Sequence, residues 1–189
     1  MVTSVLVRPS GRVMIAMALT LARRAPVLRY WGTVGTPLTY ADSIVIARSP
    51  ADLYDMVADV TRMGEWSPVC TGCWWDDGSG PSVGAWFTGR NELPGRDPWE
   101  TRSQVVAASR GAEFAFVVGG TWTRWGYTFT PAGEGTLVTE SWRMLPAGLD
   151  RFGERYGADA GAQVANRFEA ARTGIPATLR ALKRAAETG

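Results

Sequence analysis

The chain has 189 residues, 46% apolar and 20% charged, the balance of an ordinary globular protein rather than a disordered one. Its net charge of +2 hides an asymmetry, because residues 1–41 hold five arginines and no acid while the rest carries 15 basic and 18 acidic residues; the folded part is therefore not a basic nucleic-acid module. The absence of any histidine removes the usual general base, the Ser-His and Cys-His dyads and most zinc sites.

Residues 1–39 read as a leader or poorly ordered extension, and residues 40–187 as one domain. A ten-residue apolar run at 13–22 lies between Arg12 and Arg23-Arg24. It is too short to span a bilayer, which needs about 20 residues. It suits either a dispensable leader or the apolar region of a secretory signal. The corresponding expectations are a cytoplasmic protein, or one exported or membrane-associated through residues 1–24.

The domain opens with a β-rich segment at 42–47. Ser49 is a good helix N-cap with Pro50 at the first helical position, and Leu53, Met56, Val57 and Val60 recur at helical spacing. A second short helix over 60–65 stops ahead of Pro68, since the residue before a proline is pushed out of the helical region. Strands follow at 70–76, 84–92, 99–108, 113–118, 121–130 and 136–144, with short Gly- and Pro-rich connections that favour antiparallel neighbours. From about residue 159 to 187 the period becomes helical, with Val164, Phe168, Ala171, Ile175, Leu179 and Leu182 on one stripe. Pro176 predicts a kink in that helix.

Glu65-Trp66-Ser67-Pro68-Val69-Cys70-Thr71-Gly72-Cys73-Trp74, Val83-Gly84-Ala85-Trp86-Phe87-Thr88-Gly89-Arg90-Asn91, Trp99-Glu100-Thr101 and Gly135-Thr136-Leu137-Val138-Thr139-Glu140-Ser141-Trp142 carry a resemblance. With the order of elements, they resemble the polyketide cyclase/dehydrase branch of the START-like (SRPBCC) superfamily, over residues 40–186. The resemblance implies an α+β helix-grip fold: a curved seven-stranded antiparallel sheet around a long C-terminal helix, with two short helices after strand one. It also implies an apolar cavity between sheet and helix, with Trp66 in its floor and residues 94–98 as a flap. The fold hosts carriers, receptors and cyclases alike, so it does not decide activity.

Period-two alternation selects the side chains expected to face the interior. They are Phe87 and Asn91, then Trp99 and Thr101, Phe114 and Phe116, Trp125 and Tyr127, and Glu140 and Trp142, with Phe168, Arg172 and Ile175 on the helix opposite. Aromatics interleaved with a few polar groups fit a pocket for a small hydrophobic ligand such as a lipid or an aromatic polyketide, or they fill a core. An inward Glu140 must pair, with Arg172 or Arg90 as candidates, or keep its proton. In a cyclase/aromatase, Tyr127, Glu140 and an arginine such as Arg172 would hold and enolise a poly-ketone without a cofactor.

Cys70-Thr71-Gly72-Cys73 lacks the strand-to-helix setting of a thioredoxin-type motif, and no further cysteine or histidine exists to complete a metal site. The pair reads as packing, or as a disulfide. The partners expected are a small hydrophobic ligand, no nucleic acid and no stable membrane span, in a monomer or homodimer. No metal or cofactor is expected.

Overall fold

In the computed structural model the described residues are 38–78 and 80–188. The expectations for residues 1–37, whether leader, signal or anchor, lie outside them. The described residues open on β1 (Thr39–Ile46) and turn into α1 (Pro50–Ala58). Ser49 caps that helix, its Oγ accepting the Asp52 amide at 3.1 Å. The Asp59 carboxylate then accepts both the amide and the hydroxyl of Thr61, starting a 3-10 segment over Val60–Glu65. Six strands follow: β2 (Cys70–Trp75), β3 (Trp86–Leu93), β4 (Arg96–Ser109), β5 (Glu113–Val118), β6 (Thr123–Ala132) and β7 (Gly135–Met144).

The seven strands among the described residues form one antiparallel sheet in the order β1-β7-β6-β5-β4-β3-β2. The last six strands are a plain meander, and β1 joins its far edge beside β7. The register shifts at Cys70/Gly72, Asn91/Leu93 and Val105/Ala107, and such bulges bend strands and sharpen their twist. The sheet therefore curls around the C-terminal helix α3 (Ala160–Thr188), which packs on β1 and β7. Val164, Ala171, Ile175, Leu179 and Leu182 along that helix are buried, and full burial of an Ile or Leu side chain contributes about 1.5–3 kcal/mol. Leu53, Tyr54 and Val57 of α1 fill the other end of the core, where the Tyr54 ring meets Phe114 and Phe129 edge-on.

The far end of α3 is fastened to the end of β1. Lys183 Nζ donates to the Val45 carbonyl at 2.7 Å, and Arg48 Nε donates to the Ala186 carbonyl at 2.6 Å. Glu187 accepts the Ala47 amide at 2.9 Å. These bonds occupy two carbonyls and an amide that a helix terminus and an outer strand otherwise leave open.

Two details depart from the sequence reading. A further helix, α2 (Pro146–Tyr156), precedes α3. Its glycines weaken the helical signal, but a Cβ at position 148 would fall 2.3 Å from the Trp122 carbonyl oxygen, so close packing dictates glycine there. Residues 94–98 are a tight hairpin and strand rather than a free loop: Leu93 pairs with Arg96 across the two-residue turn Pro94-Gly95, and the rest belongs to β4. Within α3, Pro176 lies inside the helix and cannot donate to the Arg172 carbonyl.

Candidate functional site

Tyr127 on β6 and Glu140 on β7 are register partners, and both side chains project into the space between sheet and α3. The Tyr127 hydroxyl donates to Glu140 Oε1 at 2.9 Å. The other carboxyl oxygen, Oε2, is fully buried and has no hydrogen-bond partner among the described residues. Glu140 is only 3% exposed. Burial raises its pKa to about 8, tempered by the Tyr127 hydrogen bond, so the group holds its proton at neutral pH. Burial first, and then the Glu140 charge, pushes the Tyr127 phenol well above its ordinary value.

Aromatic rings share the core with Tyr127. Phe87 and Phe116 meet edge-to-face with centroids 5.0 Å apart, and Trp75 stands 5.6 Å from Phe87. On the α3 side, Trp142 and Tyr40 both turn an edge contact toward Phe168. Phe114, Ile175 and Trp66 are buried in the same core, and Trp125 and Phe168 are half-buried against it. Clefts open at the surface among the described residues, two of them notable. One, of about 320 Å³, lies between α1 and the end of α3 and includes Arg48, Asp52 and Arg62; the other, of about 400 Å³, reaches Tyr40 and Trp142. Neither touches Tyr127 or Glu140.

Toward the sheet's β2 edge the interior becomes polar. Asn91 Nδ2 donates to the Gly89 carbonyl and to Thr101 Oγ1, each at 3.1 Å. Asn91, Thr101 and Trp99 are half-buried, and the Arg96 guanidinium lies 4.0 Å over the Trp99 ring. The Cys70 and Cys73 sulfurs are 3.7 Å apart, facing Gly89.

The arginine partner that the sequence suggests for Glu140 is not there. Arg172 is exposed and bonds to Glu169 at 2.8 Å, and Arg90 is exposed beside Glu92 at 3.1 Å. The cause is helical phase: Ala171 occupies the buried stripe, and the next residue is rotated by about 100° toward solvent. Tyr40, which contacts Phe168, is an interior aromatic that the sequence reading leaves out. Its signal is the alternation of β1, which starts three residues before the expected strand.

Comparison with curated proteins finds no match for this chain. Among solved structures, the chain is similar to the Polyketide_cyc-like protein Cgl2372 from Corynebacterium glutamicum, at 46% identity and a TM-score of 0.60, covering 81% of this chain and 93% of that one. It shares its fold with protein Ms6760 from Mycobacterium smegmatis, at 17% identity and a TM-score of 0.58, covering 80% and 92%. It also shares its fold with StfQ, a di-domain aromatase/cyclase from the steffimycin biosynthetic pathway, at 18% identity and a TM-score of 0.61, covering 80% of this chain and 51% of that one. A family model described as polyketide cyclase/dehydrase and lipid transport matches residues 37–187. The helix-grip architecture and that match agree: the chain belongs to the polyketide cyclase/dehydrase and lipid transport family, START-like in fold.

Proposed function

We infer that the protein binds a small hydrophobic molecule bearing a hydroxyl or carbonyl group, between the sheet and α3, with Glu140 as its polar anchor. The observation that carries this reading is Glu140 Oε2, a buried oxygen left without a partner among the described residues, in a core rich in aromatic rings. A buried polar atom without a hydrogen bond costs about 1–3 kcal/mol, a cost that a ligand hydroxyl or carbonyl removes. Membership of a family of cyclases and lipid-transport proteins supports the same class of ligand. The proposed lining includes Phe87, Phe116, Tyr127, Trp142 and Phe168, rings that shift rotamer to admit it.

Titration with a fluorescent polyene fatty acid and with a hydroxyanthraquinone, read by tryptophan quenching, tests the reading. Saturable binding of one or both is expected, weakened about tenfold in Glu140→Leu, the equivalent of about 1.4 kcal/mol. Absence of saturable binding to either compound overturns it.

A second reading rests on the proton that Glu140 keeps at neutral pH. A neutral carboxyl beside a phenol can donate to the oxygen of a developing enolate, which is what cofactor-free cyclisation of a poly-ketone needs. Turnover of a synthetic poly-β-ketone by wild type, lost in Glu140→Gln with binding retained, distinguishes a cyclase from a carrier.

A further inference from the structure

Side chains alternate along a strand, so residues three apart point to opposite faces. Cys70 and Cys73 break that rule. The register shift between Cys70 and Gly72 makes Thr71 an extra residue, so that Cys70 stands opposite Asn91 and Cys73 opposite Gly89. Asn91 and Gly89 are two apart and share a face, and so the two cysteines share it too. Cys70 is 5% and Cys73 9% exposed, while Trp74 beside them is 43% exposed.

The space that receives both sulfurs exists because position 89 lacks a side chain. A Cβ there would lie 3.2 Å from Cys73 Sγ and 3.6 Å from Cys70 Sγ. The sulfurs thus meet at 3.7 Å in a gap kept by one bulge on β2 and one glycine on β3. Among the described residues no third histidine, cysteine or acidic group joins them, so the donor set is not that of a closed metal site.

We propose that Cys70 and Cys73 form an oxidisable dithiol site that reduces a peroxide and closes reversibly to an intrachain disulfide. The Cys70 thiolate attacks one peroxide oxygen; the S–O bond forms, the O–O bond breaks, and the departing hydroxide takes a proton and leaves as water. Cys73 sulfur then attacks the Cys70 sulfenic acid, forming the S–S bond and breaking S–O; the leaving hydroxide takes the Cys73 proton as a second water. Two thiols lose two electrons in all, and one peroxide becomes two waters. Cys70 is the attacking thiol: the Cys73 S–H beside it favours the Cys70 thiolate, whereas the same contact and burial push Cys73 up. Access comes from the edge position of β2, which pairs with β3 alone and opens without breaking the sheet's centre.

The proposal is independent of ligand binding. Fully reduced, native protein is treated with hydrogen peroxide, and its intact mass is measured before and after a reductant. The expected result is a loss of about 2 Da in a monomer, reversed by dithiothreitol and absent from Cys70→Ser and from Cys73→Ser. A gain of about 32 Da, a disulfide-linked dimer, or no change in native protein under conditions that oxidise the unfolded chain overturns the proposal.

Discussion

Glu140 makes folding sensitive to pH in a direction opposite to that of a salt-bridged acid. Its folded pKa of about 8 lies above the ordinary 4.5, so the folded chain holds a proton that the unfolded chain releases. Stability is then greatest below about pH 4.5, falls as pH rises through about 8, and is level above that, a change of roughly 4–5 kcal/mol at full expression. Glu140→Gln removes the titration, so its melting temperature should stay flat between pH 5 and 8 (about the window set by those values) where that of wild type declines. At position 89, alanine must push Cys73 aside by a few tenths of an ångström, while valine has no room. Urea unfolding should show Gly89→Val destabilised by about 1–3 kcal/mol, and Gly89→Ala by less. Glu140 is legible as a special residue from strand alternation alone, since β7 alternates without a bulge. That Cys70 and Cys73 share a face is not legible, because it depends on one inserted residue that composition does not mark.

Among the elements, the hydrogen bonds that fasten α3 to the end of β1 lie at the helix end, where a few side chains replace backbone partners. Arg48 and Lys183 each hold a main-chain carbonyl, so Arg48→Ala and Lys183→Ala should each cost about 1 kcal/mol. Amide exchange should quicken at residues 45–48 and 183–188 and leave β4–β6 unchanged, the pattern of a local rather than a global loss. Elements with strong punctuation are readable from sequence: β5 spans residues 113–118 as expected, and α1 starts at Pro50 behind its serine cap. α2 escapes because Gly148 and Gly153 dilute the spacing of Leu149, Phe152 and Tyr156, and its stability comes from tertiary partners such as Trp122 under Arg151. The phase of α3 is readable for its apolar stripe but uncertain at its margin, where Arg172 sits one step from Ala171.

At the scale of the whole molecule, the order of elements identifies the architecture and the family, because few folds place one strand and two short helices before a meander and a closing helix. What that order leaves open is how far the interior is filled, since the same inward aromatics serve a core or a pocket. The strand order has a further meaning for synthesis. Thr39 pairs with Arg143 and Ile46 with Thr136, so the first strand finds its neighbour only after about a hundred residues more have been made. Such remote pairing slows folding, because a large loop must close before any bond rewards it. Nascent chains held on the ribosome with β7 still in the exit tunnel should be cut readily by protease in β1, and become resistant once α3 has emerged. The domain is thus completed by its last-made parts, and its earliest strand waits unpaired for most of translation.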